Sequence, residues 1–113
     1  MIKGKVVLLP FPFDDLSAAK VRPAVCLAEP IGPYHHVVLA FITSHIPQNL
    51  QETDLVLEAS QSDFALTGLT VSSTLRLHRL MTVTTSLILR ELGELSFDMK
   101  VEVEKRLRKL FGL

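Results

Sequence analysis

Two short stretches of this chain carry side chains suited to phosphodiester chemistry. Arg22 stands at the entrance of an apolar run, Val21 to Ala28, and a second apolar run ends in Ile42-Thr43-Ser44, followed by His45. If the two ends meet, a cation and a hydroxyl converge on one spot. A guanidinium is a planar cation that holds phosphate through paired hydrogen bonds, and a hydroxyl can donate one more to a non-bridging oxygen. Thr43 and Ser44 alternate across a strand, so only one of them shares the side of Arg22; we assign Thr43, with Ser44 as a second hydroxyl for a bound substrate. RNA brings its own nucleophile, the 2′-hydroxyl. Its cleavage by internal transesterification needs that hydroxyl deprotonated, the phosphorane charge stabilised and the leaving 5′-oxygen protonated, with no metal. Arginine, with a pKa above about 12, is a poor general base, so Arg22 is expected to stabilise charge.

His45 lies two residues beyond Thr43 and shares its face if the strand continues. An imidazole is an acid or base near neutrality; the plainer reading is a solvated histidine at a strand end. Lys20, Arg76 and Arg79 are further cations for phosphate, or ordinary charges at loop and strand edges. Ser17 lies in the polar loop Asp14 to Lys20, a segment that could gate a substrate or touch bases, or simply solvate a hairpin. One cysteine and no HxxxH or HxH spacing argue against a zinc site, and no cofactor is expected.

The elements that must position these residues read as short strands. Lys5 to Leu9 is a valine-rich buried strand between Gly4 and Pro10. Pro10-Phe11-Pro12-Phe13 should leave the sheet, because proline lacks the donor N–H, and its phenylalanines should cover one end of the core. Val21 to Ala28 is the second strand, with Pro23 suited to its start and not its middle. His36 to Thr43, apolar on both faces, is a central third strand, and Asp54 to Glu58 alternates like a half-buried one. Ala59 to Gly68 is a loop or short helical turn. Ser72 to Leu77 and Arg79 to Val83 form two strands or one long bent strand. Thr84 to Leu89 is a short helix, and Glu91 to Leu95 a last strand around Gly93. Ser96 is the N-cap of a terminal helix, whose apolar stripe is Met99, Val103, Leu107 and Leu110. Glu102–Arg106 and Glu104–Arg108 are favourable i,i+4 pairs, and Gly112 is the stop. The fold class is therefore mostly β: a small barrel of five to seven short strands plus one C-terminal helix.

Composition narrows the function classes. A length of 113 residues, 48% hydrophobic and 21% charged, fits one domain, residues 1–113, with a single core. Twelve basic and twelve acidic residues cancel, so any nucleic-acid site must arise from local clustering and not from overall charge. The lone Cys26 fits inert core in a reducing cytoplasm. The apolar run after Lys3 and Lys5 meets Pro10 too soon for a signal-peptide core, and no stretch approaches a membrane span.

Taken in order, Gly4-Lys5-Val6-Val7, Phe13-Asp14-Asp15-Leu16-Ser17, Val21-Arg22-Pro23-Ala24-Val25 and Phe41-Ile42-Thr43-Ser44 resemble the MazF/PemK family of toxins from bacterial toxin–antitoxin systems. Leu80-Met81-Thr82-Val83, a weak strand and a terminal helix follow in the family's order. The resemblance implies an SH3-like β-barrel shared with the gyrase-poisoning CcdB toxins. It implies metal-independent, sequence-specific cleavage of single-stranded RNA, leaving a cyclic phosphate, with Arg22 and Thr43 as the catalytic pair. It further implies a homodimer and a cognate antitoxin whose disordered tail lies across the RNA groove. The chain departs from the pattern at Lys5, where many members carry an acidic residue, and at His78-Arg79-Leu80-Met81-Thr82, so base-reading contacts do not carry over. The alternative is a non-catalytic module on the same barrel, either a gyrase-poison-like binder or a degenerate nuclease that keeps antitoxin binding. The Arg22–Thr43 pair favours the enzyme.

Overall fold

The computed structural model describes residues 1–11 and 20–113. Six antiparallel strands form one sheet: β1 (Lys5–Phe11), β2 (Lys20–Cys26), β3 (His36–Thr43), β4 (Asp54–Leu57), β5 (Ser73–Thr84) and β6 (Arg90–Glu94), in the spatial order β4-β5-β3-β2-β1-β6. Helix α1 (Phe97–Phe111) follows. The central, doubly apolar third strand is as expected, since β3 lies between β5 and β2. Alternate residues of the inner strands feed two cores. Val6, Val25, Ala40 and Ile42 join Leu55, Leu57, Leu75, Leu77, Met99 and Val103 beneath α1. Val7, Leu9, Phe11, Ala24, Cys26, Leu39 and Phe41 form a second cluster.

Two prolines sit inside strands, where the sequence reading had kept them out. Pro10 and Phe11 continue β1, and Pro23 is the middle residue of β2, opposite Leu8. The direction of the backbone groups explains both. Leu89 N–H donates to Leu8 O, so Leu8 and its alternate Pro10 face the β6 side, and β6 pairs with β1 no further than Leu8. Leu27 N–H donates to Val38 O, so Leu27, Val25 and Pro23 face β3, and the β2–β3 ladder stops at Ala24–Phe41. Each proline thus turns its donorless nitrogen toward the place where a ladder ends, a position equivalent to a sheet edge.

The segment from Ser73 to Thr84 is one long strand. It pairs with β3 through Leu80–Thr84 and again through Thr74 and Leu75, with a register shift between Ala40 and Ile42. Strand β4 is an edge strand that ends at Leu57; burial alternates from Leu55 to Glu58 as expected, and the exception is Asp54, which is buried for a reason given below. The short helix expected over Thr84 to Leu89 is a single 3-10 turn, Thr85–Leu87. Strands β4 and β6 occupy opposite edges, yet the 3-10 turn Phe64–Thr67 that follows β4 reaches β6. A Cβ on Gly68 would lie 2.1 Å from Leu92 O, and one on Gly93 would lie 2.2 Å from Leu66 O. The barrel is therefore a curled sheet whose edges meet through a backbone-to-backbone contact that requires two glycines. Helix α1 begins as read: Ser96 Oγ accepts from Met99 N–H at 3.1 Å and donates to Asp63 at 2.5 Å, and Gly112 closes the helix with φ +69°.

Candidate active site

The end of the β2–β3 ladder creates the site. Carrying the observed register one pair past Ala24–Phe41 sets Pro23 opposite Ile42, and the next pair sets Arg22 opposite Thr43. Arg22 and Thr43 share the sheet face of Leu9, Phe11, Ala24 and Phe41, so their side chains continue the second core toward solvent. A cleft of about 180 Å³ opens there, lined by Phe11, Arg22, Phe41, Ile42, Thr43, His45, Arg76 and Arg79. The floor is aromatic: Phe11 and Phe41 meet edge to face, with centroids 4.3 Å apart. The Arg22 guanidinium carbon lies 5.8 Å from the Phe11 centroid, a cation–π contact that orients the fork.

On the opposite wall, β5 supplies Arg76 and Arg79. Arg76 is held from behind by Asp54, through Nε at 3.1 Å and Nη2 at 3.4 Å. Asp54 is only 5% exposed; it also accepts from Gln51 N–H at 2.9 Å and lies 3.8 Å from His78 Nδ1. That set of donors is why a carboxylate is tolerated in β4 among leucines and valines. The far end is closed by His45, whose Nδ1 is 2.9 Å from Thr43 Oγ1, with Nε2 at 3.4 Å. Its backbone is pinned, because Thr74 Oγ1 donates to His45 O at 3.0 Å.

Of the residues assigned from sequence, Arg22, Thr43, His45 and Arg79 line one cleft. Ser44 is exposed in the bend after β3 and does not line it. Lys20 lies outside as well, exposed at the start of β2 on the same strand face as Arg22. Ser17 lies outside the described residues. Sequence reading missed the aromatic floor: Phe11 was assigned to covering the core and Phe41 to plain strand. It also missed the support that Asp54 gives Arg76, which no local pattern announces.

Larger hollows lie elsewhere, and their charge sets them apart. One of about 550 Å³ between β4 and α1 carries Asp63, Asp98 and Glu102 and would repel phosphate. Another of about 610 Å³ has its lysines and arginine engaged, Lys105 and Arg106 with Glu102, and Lys109 with Glu52. In the 180 Å³ cleft three guanidinium groups converge, and among the described residues no carboxylate lines it. This is the local clustering that a neutral chain needs in order to bind a polyanion.

A family model for PemK-like, MazF-like toxins of type II toxin–antitoxin systems matches residues 2–111. No curated protein sequence matches the chain. Among solved structures, an endoribonuclease in complex with its cognate antitoxin from a mycobacterial species superposes with a TM-score of 0.74 at 16% identity, covering 100% of this chain and 96% of that one. The Mycobacterium tuberculosis toxin MazF-mt6 gives 0.72 at 18% identity, covering 96% and 97%. MazF from Deinococcus radiodurans gives 0.70 at 21% identity, covering 100% and 97%.

Proposed function

Because the chain belongs to the PemK-like, MazF-like toxins of type II toxin–antitoxin systems, we propose that it is an endoribonuclease that cleaves single-stranded RNA without metal and is held in check by a cognate antitoxin. The observation that carries this reading is that Arg22 and Thr43 line one cleft, with Arg79, just past the end of the β2–β3 ladder. Arg22 grips the scissile phosphate and stabilises the charge of the phosphorane. Thr43 donates its hydroxyl to a non-bridging oxygen. Arg79, and Arg76 in its Asp54 clamp, hold neighbouring phosphates. Residues 1–113 act as one toxin domain, working in the cytoplasm as a homodimer; no helix of the described residues is long and apolar enough to cross a membrane.

The test is cleavage of a long single-stranded RNA with EDTA present, comparing wild type with Arg22→Ala and Thr43→Ala. Discrete fragments from wild type are expected. Both variants should cut slower by roughly a hundredfold or more, the scale of losing one donor to a developing oxyanion. A single 2′-deoxy substitution at the mapped cut should abolish cleavage there, because the nucleophile is gone. Pure, folded protein that leaves the RNA intact would remove the proposal.

A further inference from the structure

We propose that His45 is the general base of the cleavage, taking the 2′-hydroxyl proton on a ring nitrogen held beside the Thr43 hydroxyl. The inference rests on the nuclease reading above and supplies what that reading lacks. Arg22 and Arg79 cannot accept a proton near neutrality, and a threonine hydroxyl is no base there. His45 is the titratable side chain that lines the cleft beside Thr43, and every other ionisable group lining it among the described residues is a guanidinium: Arg22 from β2, Arg76 and Arg79 from β5. The strands β1 and β3 present only Phe11, Phe41, Ile42 and Thr43 there.

Two contacts fix the imidazole. Thr74 holds the His45 carbonyl at 3.0 Å, and Thr43 Oγ1 lies 2.9 Å from Nδ1. Nε2 lies 3.4 Å from the same oxygen, so Thr43 Oγ1 sits beside the ring and in line with neither N–H; the neutral ring keeps one lone pair for the substrate. A phosphate whose oxygen accepts from Thr43 therefore brings its adjoining ribose 2′-hydroxyl beside the imidazole. In the step itself the 2′-O–H proton passes to the unprotonated ring nitrogen of His45, the 2′-oxygen–phosphorus bond forms and the phosphorus–5′-oxygen bond breaks. The 5′-oxygen departs on the side opposite the attack, out of reach of His45, and takes its proton from solvent water. The imidazolium returns its proton to solvent. The products are a 2′,3′-cyclic phosphate and a 5′-hydroxyl, with no redox change and no added reactant.

The experiment uses the full chain and a short RNA spanning a cut mapped on the long substrate, with single-turnover rates measured from pH 5 to 9 in EDTA for wild type, His45→Ala and His45→Gln. Both variants should cut roughly a hundredfold or more slower and lose the acid limb of the wild-type pH–rate profile. Imidazole added to the buffer should restore His45→Ala in proportion to its neutral fraction, and should leave Thr43→Ala unrescued. Since a histidine that only braced Thr43 would not respond to free imidazole, rescue separates the two roles. His45 is exposed, so both variants should keep the wild-type circular dichroism. Variants that cut within threefold of wild type, that keep its pH limb, or that imidazole fails to rescue would overturn the inference and leave the nuclease reading standing. Wild type that cuts nothing would overturn both.

Discussion

At the scale of single residues, the cleft depends on groups that do not line it. Asp54 is buried in an edge strand because Arg76 neutralises it and the Gln51 N–H donates to it, while Arg106 Nε donates to its carbonyl at 3.1 Å. Asp54→Ala would leave the Arg76 cation half-buried without its carboxylate. We expect a loss of about 3 kcal/mol in a urea titration, the scale for breaking one side of a buried pair. RNA cleavage should weaken as well, because Arg76 is freed from its fixed pose. No such loss in urea would mean that water already shares the pair. That Arg22 and Thr43 come to one cleft was legible in the sequence, because a cation before an apolar run and a hydroxyl after one are visible in one dimension. It hid Asp54, since the DLVLE pattern reads equally well as an alternating strand; only β5 packed alongside reveals the partner.

At the scale of elements, the terminal helix and the order of strands were legible, because N-cap, apolar stripe, i,i+4 pairs and stop all agreed. What stayed hidden was how the sheet ends. Pro10 and Pro23 obey the edge rule at points where the edge arises from a neighbour stopping short, which no local pattern records. Closure between the 3-10 turn and β6 was hidden for the same reason: Gly93 reads as a weak spot in a strand and turns out to be a point of backbone contact. Gly93→Ala would drive a Cβ to 2.2 Å from Leu66 O and 2.5 Å from the Thr67 carbonyl carbon. We expect a cost above about 4 kcal/mol or failure to fold. Gly112→Ala, with φ +69° and nothing within 4 Å of the new Cβ, should cost only about 1 kcal/mol. Equal thermal midpoints for the two variants would contradict the clasp.

At the scale of the whole molecule, charge holds the layers together and sets the pH range of stability. Lys5 bridges Glu91 at 2.9 Å and Glu94 at 3.2 Å, and Lys100 reaches Glu94 at 2.5 Å, tying β1, β6 and α1. The Lys100 and Lys5 partners pull the Glu94 carboxyl below its ordinary 4.5. The Arg106 and Lys105 partners do the same for Glu102, and the N–H groups of Ile2 and Lys3 do so for Glu29. A lowered carboxyl stabilises the fold fully above its unfolded pKa and loses that contribution as pH falls through the folded one. Bonds from Glu91 and Glu94 raise Lys5 above 10.5, so its share is full below that value and fades as pH rises through the folded one. Thermal midpoints should therefore hold a plateau through neutrality and decline below about pH 4.5, more gently in high salt, because these groups are exposed. A midpoint that rises on acidification through that range would refute the assignment. The missing donor at Pro23 has a further consequence, for competition at the cleft. An open strand edge recruits any extended polypeptide as its next strand, but at Pro23 β2 has no N–H to offer on that side. A polypeptide segment laid along β2 at this point would find no donor on Pro23, and contacts with the guanidinium groups lining the cleft would have to carry its hold there.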